Sequence, residues 1–129
     1  MLFRSATSLG VKRPGLPEDP SIVYRELDIT DPSMVRTVLL EEKPDAILHA
    51  AALSRPDDCE NDPQRADRIN VEGTRNLMDA AAAIGSYFCY LSTDFVFDGI
   101  AGMYREDDPP DPVNHYGVTK WQEIGRAHV

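Results

Sequence analysis

A chain of 129 residues with a formal net charge of −9 is at most one domain, and its acidic balance without a basic cluster excludes a nucleic-acid-binding surface. No run approaches the ~18 apolar residues that a membrane span needs, and Met1 to Ser5 opens no charged region with a long apolar stretch of the secretory kind. Two cysteines, Cys59 and Cys89, are too few for a disulfide framework and fit a reducing, cytoplasmic setting.

Both ends decode from one DNA string. Ile124 to Val129 (Ile-Gly-Arg-Ala-His-Val) is the translation of ATC GGA AGA GCA CAC GTC, part of a widely used sequencing adapter. The reverse complement, extended by its leading bases, reads GTG CTC TTC CGA TCT. With GTG as a start, that gives Met1-Leu2-Phe3-Arg4-Ser5. The expected folded part is therefore residues 6–123, with residues 1–5 and 124–129 set aside.

In chain order, Ala6 to Pro20 is rich in Gly and Pro and reads as a loop. Ser21 to Ile29 reads as a strand with partial alternation. Asp31-Pro32 then starts a helix, with Asp31 as N-cap and proline at the first helical position. That helix spans Pro32 to Glu42, carries the stripe Met34, Val35, Val38 and Leu39, and stops at Lys43-Pro44. Asp45 to Ala50 is a short apolar strand of the kind found in parallel sheets covered on both faces. Ala50-Ala51-Ala52 follows, and such small side chains let a flat ligand approach the backbone. His49, alone in an apolar strand, reads as structural.

Ser54 to Asp62 holds Asp57, Asp58, Glu60 and Asp62 at irregular spacing with no partner histidine, so it reads as a solvated surface loop rather than a metal site. Pro63 to Ile84 is a long helix with Ala66, Ile69, Asn70, Leu77 and Ala81 facing inward, ended by Gly85. Tyr87 to Leu91 is a buried strand, with Cys89 as a small core residue. From Gly99 to Val113 a polar, proline-bearing loop follows, in which Tyr104 and Glu106 are candidate substrate contacts. Asn114 caps a last helix, and Trp121 reads as packing. The alternation of strands and helices predicts a doubly wound parallel α/β sheet.

Chemistry concentrates between Leu91 and Lys120. Ser92 and Thr93 place hydroxyls where a strand ends, the edge at which open parallel sheets bind ligands. Tyr116 and Lys120 are four residues apart and share one helix face. A free phenol titrates near ~10, and an ammonium beside it favours the phenolate and pulls that value toward the working range. With a Thr hydroxyl orienting a carbonyl oxygen, such a trio can protonate an alkoxide as a hydride arrives.

The stretches Ser92-Thr93-Asp94-Phe95-Val96-Phe97-Asp98-Gly99, Tyr104-Arg105-Glu106-Asp107-Asp108 and Pro112-Val113-Asn114-His115-Tyr116-Gly117-Val118-Thr119-Lys120 resemble the extended short-chain dehydrogenase/reductase superfamily. Within it they look most like the dTDP-4-dehydrorhamnose reductase family, from about Asp28 to Lys120. The resemblance implies a Rossmann-like fold truncated at both ends, with the first strand and the glycine-rich turn missing. It implies that Thr93, Tyr116 and Lys120 are the catalytic triad. Asp28-Ile29, Ala50, Ala51 and Ala52 would line the cofactor together with Tyr116 and Lys120. Asn70 would support Lys120 through backbone and water, with Ser92 beside the triad.

The implied cofactor is NADP or NAD. Lys12 and Arg13, about where the fold contacts the cofactor ribose, suit a 2′-phosphate and so favour NADPH, although two solvated loop cations would look the same. The implied activity is reduction of a keto-deoxysugar on a nucleotide, with a homodimer or a partner enzyme as the expected assembly. Two alternatives stay open. One is a sugar-nucleotide epimerase or dehydratase, for which Asn70-Val71-Glu72-Gly73-Thr74 speaks and Phe95 after Asp94 speaks against a dehydratase. The other is a non-catalytic regulatory subunit like that of methionine adenosyltransferase, which has an Arg-Pro-Asp where this chain has Arg55-Pro56-Asp57.

Overall fold

The computed structural model describes residues 6–9 and 22–124, so the expected Lys12–Arg13 contact lies outside the described residues. The order is β1 (Ala6–Leu9), β2 (Ile22–Arg25), α1 (Pro32–Glu42), β3 (Ala46–His49), α2 (Pro56–Asn61), α3 (Pro63–Ala66), a π-helical turn (Asp67–Glu72), α4 (Gly73–Ile84), β4 (Tyr87–Tyr90), a 3₁₀ turn (Asp94–Val96) and α5 (His115–Ile124). Every strand pairing is parallel. β1 pairs with β2, from Ala6 opposite Ile22 to Leu9 opposite Arg25. β3 pairs with β4, from Ala46 opposite Tyr87 to His49 opposite Tyr90. Among the described residues the two pairs are not joined into one sheet. That is the pattern of a doubly wound α/β sheet without one of its central strands.

Local signals set α1. The Asp31 side chain accepts hydrogen bonds from the Ser33 and Met34 backbone N–H groups, Pro32 needs no donor of its own, and Lys43 closes the helix in a left-handed conformation. Its inward stripe, Val35, Val38 and Leu39, packs on Leu27 and on Leu77 and Ala80 of α4. Ile47 and Phe88 bring one face of the β3–β4 pair onto that core. The opposite face is open: Leu48 is 66% exposed and Tyr87 77%.

Five expectations need correction. Ala6–Leu9 is a strand and not a loop, because its ladder comes from a partner far along the chain. The strand after it ends at Arg25 rather than Ile29, since Asp28 to Asp31 turns on itself through an Asp31 N–H to Asp28 carbonyl bond of 3.1 Å. The acidic stretch is helix α2, not a loop. Pro56 opens it, and Asp57 and Asp58 in its first turn favour the positive end of the helix dipole. Cys89 is exposed rather than core, on the open face of its strand pair. Trp121, expected to pack, is 46% exposed, one residue past the buried Lys120.

The long helix runs as expected from Pro63 to Ile84, but it widens into a π turn at Asp67–Glu72. Such turns often mark functional sites, because one extra residue per turn swings side chains to new directions. Here the turn buries Asn70 and Val71. Gly73 follows directly, and a side chain there would meet Ile29 within 2.7 Å, so α4 sits close against the Asp28–Ile29 turn. No helix among the described residues is long and apolar enough to cross a membrane.

Candidate active site

Two strand ends and one helix start meet at the C-terminal edge of the β3–β4 pair. The backbone leaves β3 at His49 and runs through Ala50, Ala51 and Ala52; Ala50 and Ala51 are exposed. It leaves β4 at Tyr90 and runs through Leu91, Ser92 and Thr93, with the Leu91 N–H still bonded to the His49 carbonyl at 3.2 Å. Thr93 is extended and caps the 3₁₀ turn: its hydroxyl accepts from the Phe95 N–H at 3.3 Å and donates to Asp94 Oδ1 at 3.2 Å. Ser92 is exposed beside it.

The α5 helix brings Tyr116 and Lys120 to this edge. Its start is fixed from several sides. Asn114 accepts the Gly117 N–H at 2.8 Å, as a cap should. The His115 N–H donates to Glu60 Oε1 at 2.6 Å, and the His115 ring lies 2.9 Å from Asp67 Oδ1. Tyr116 is only 9% exposed and packs with Cys59, Ala66, Ala52 and Leu53, with Phe95 edge-on at 6.1 Å. Burial pushes its phenol above the ordinary value. The neighbouring Cys59 adds to this, and a hydrogen bond with Thr93 opposes it. Lys120 is 3% exposed, and burial lowers it from 10.5 to about 8.

Burial dominates the Tyr116 phenol and raises it, against the expected lowering, and the Lys120 ammonium rests over the Tyr90 ring, 3.9 Å from its centroid. Tyr90 and Cys59 are the neighbours that sequence spacing did not reveal. Both touch the pair because α5 packs on α2 and reaches the end of β4 through Lys120, contacts no local pattern encodes.

Asn70 is 1% exposed and joins three elements. Its Oδ1 accepts the Leu53 N–H at 2.7 Å, and its Nδ2 donates to the Leu53 carbonyl at 3.1 Å and to Thr119 Oγ1 at 3.0 Å. Thr119 in turn donates to the Tyr116 carbonyl at 2.8 Å. Asn70 thus reaches α5 one residue before Lys120, while fixing the backbone that leaves the alanine turn. Thr119 could have been found from its place three residues after Tyr116.

Asp28 lies apart from this cluster, at the β2 side. Its carboxylate accepts from the Thr30 N–H at 2.9 Å and hydroxyl at 2.8 Å, which hold it below the usual carboxylate range. Ile29 is held by Gly73 at its side chain and by a 2.9 Å bond from Asn76 to its carbonyl. His49 is buried, within 3.0 Å of the Thr74 hydroxyl, and burial lowers it to about 4, so it stays neutral and structural. Tyr104 stacks on Phe97 at 4.5 Å and donates to Asp98, so its hydroxyl is engaged within its own loop. No group of three or more His, Cys, Asp or Glu among the described residues is arranged to hold a metal ion.

The buried ammonium has a consequence for stability. A lysine whose folded value is depressed binds its proton more tightly in the unfolded chain, so it costs stability below about pH 8, and the cost fades as pH rises toward 10.5. Lys120→Met in the full-length parent is expected to raise the melting temperature at neutral pH, with the gain shrinking toward the alkaline end. Thermal unfolding followed across pH checks this; a gain independent of pH contradicts it.

Hydroxyl, phenol and ammonium at the end of a parallel strand pair are the arrangement expected of an extended short-chain dehydrogenase/reductase. The chain matches the RmlD substrate binding domain over residues 5–124 and belongs to that family. It is 42% identical over 97 residues to "Methionine adenosyltransferase 2 subunit beta" of Bos taurus, covering 75% of this chain and 29% of that protein. It is 43% identical over 95 residues to "dTDP-4-dehydrorhamnose reductase" of Streptomyces griseus, covering 73% of this chain and 31% of that one. Among solved structures, the dTDP-4-dehydrorhamnose reductase of Bacillus anthracis in complex with NADP superposes with a TM-score of 0.77 at 36% identity, over 84% of this chain and 41% of that chain. The chain thus spans about three tenths of the curated relatives it matches.

Proposed function

We propose that the full-length parent of this chain is an NAD(P)H-dependent reductase of a nucleotide-linked keto-deoxysugar, similar to dTDP-4-dehydrorhamnose reductase. One observation carries the reading: Thr93, Tyr116 and Lys120 converge at one strand end, with Tyr116 and Lys120 buried. The residues fit a dinucleotide. Ala50 and Ala51 present exposed, small side chains beside Ser92 and Thr93, and Asp28 keeps an exposed carboxylate at the neighbouring turn. When bound, the nicotinamide supplies the hydride.

The chain's own residues do the rest. Thr93 orients the keto oxygen. Tyr116 gives its proton to that oxygen as negative charge develops, and its raised pKa keeps it protonated at neutral pH. Lys120 holds the cofactor ribose and offsets the phenolate left behind. Asn70 and Thr119 keep the helix in register with the strand end. NADPH is favoured over NADH by Lys12 and Arg13. Residues 6–123 alone lack the glycine-rich turn, and we infer that they do not turn over.

The test is NADPH oxidation by the full-length parent with a dTDP-4-keto-6-deoxysugar. Turnover supports the reductase. A second reading draws on the 42% identity to the methionine adenosyltransferase subunit and on Arg55-Pro56-Asp57: a non-catalytic partner of another enzyme. NADPH binding without turnover, together with a methionine adenosyltransferase that co-purifies, would favour it.

A further inference from the structure

β4 ends on Tyr90, whose ring has two close neighbours. His49, from the neighbouring strand, stacks at 5.7 Å between centroids and 27° between planes. Lys120 Nζ stands 3.9 Å from the ring centroid. Lys120 is 3% exposed, and among the described residues no carboxylate forms an ion pair with it. The Tyr90 hydroxyl is buried with no hydrogen-bond partner among them. The fold thus leaves the polar end of this tyrosine unused and employs its face.

We propose that Tyr90 is a positioning residue: the face of its ring is the seat on which the Lys120 ammonium is held at the cofactor edge of the site. The electron-rich face of an aromatic ring attracts a cation, and the attraction grows as water is excluded. An aliphatic residue at position 90 would cover the lysine stem equally well and offer the charge nothing. The stack with His49 fixes the ring plane, and the neutral imidazole adds no repulsion to the ammonium. Lys120 therefore reaches its place through β4, a rigid element, rather than through a flexible counter-ion. The use of that place, holding the ribose of NADPH, rests on the reductase reading above.

The test replaces Tyr90 in the full-length parent by phenylalanine and by mono-, di- and trifluorinated phenylalanine. Shape is kept while the ring face loses negative potential at each step. The Lys120 pKa is read by NMR of isotope-labelled lysine, without cofactor or sugar, and the NADPH dissociation constant by nucleotide fluorescence. The expected result is a Lys120 pKa that falls with each fluorine and an NADPH dissociation constant that rises in step, by about tenfold over the series. Tyr90→Phe is expected within about twofold of the starting protein, because the hydroxyl it removes bonds nothing. A flat pKa series overturns the seat, whatever the protein's activity. A sloping series in a parent that reduces no keto sugar keeps the seat and removes the reductase reading. Tyr90→Leu, checked for folding by circular dichroism, should match the trifluorinated variant; where it unfolds, the fluorinated series decides alone.

Discussion

Tyr116→Phe in the full-length parent is expected to lower reduction of the keto sugar by about 10²–10⁴-fold, the range that a lost general acid costs. The substitution removes one oxygen and keeps the ring. That ring keeps its packing against Cys59, Ala66, Ala52 and Leu53 and its edge contact with Phe95, so the fold should hold. The Thr93 hydroxyl still caps the 3₁₀ turn through the Phe95 N–H. NADPH binding should therefore persist, since Lys120 and the alanine turn are untouched. Stopped-flow NADPH oxidation beside a fluorescence binding curve separates the two effects. Undiminished reduction would remove Tyr116 as the acid. Loss of cofactor binding together with activity would instead mean that the phenol shapes the cofactor pocket.

The parts of this fold that were legible beforehand are those whose cause is local. Helix α1 could be read to the residue, because Asp31, Pro32 and Lys43-Pro44 act within one turn of its ends. The Tyr116–Lys120 pair could be read from a four-residue spacing, and both residues are indeed buried on one face of α5. What escaped depends on partners far along the chain. Ala6–Leu9 has no strand signature of its own, and its ladder to Ile22–Arg25 makes it one. Helix α2 was hidden by its own acids, which look like a solvated loop until Pro56 and the helix dipole are counted together. The π turn follows the ordinary helical pattern on either side, so the extra residue that buries Asn70 leaves no periodic trace. Tyr90 looked like any strand residue, and only the approach of Lys120 from α5, far along the chain, puts an ammonium on its face.

Gly117→Ala is expected to do more damage than its small size suggests, and it shows how closely the site is assembled. Gly117 follows Tyr116 on the buried side of α5, where the helix lies against the 3₁₀ turn carrying Phe95. A methyl group built there would come within 2.9 Å of the Phe95 carbonyl carbon, closer still to its oxygen, and within 3.1 Å of Pro112 Cβ. Phe95 meets it with backbone, which cannot rotate away as a side chain can. The helix itself would gain about 1 kcal/mol from replacing glycine by alanine, while overpacking against a fixed neighbour costs about 3 kcal/mol. The clash wins, and a net loss of about 2 kcal/mol should appear as a lower melting temperature. The relief available is to slide α5 away from the 3₁₀ turn, which parts Tyr116 from Thr93. A displacement near 1 Å at reacting groups costs on the order of 10²-fold in rate. Gly73→Ala supplies the comparison. Its methyl group meets only the Ile29 side chain, whose outer atoms can turn aside, and it lies away from the triad. It should lose less stability and, at saturating NADPH, keep most of its turnover. Equal losses in the two variants would mean that the approach of α5 to the Phe95 backbone does not set the distance between Thr93 and Tyr116.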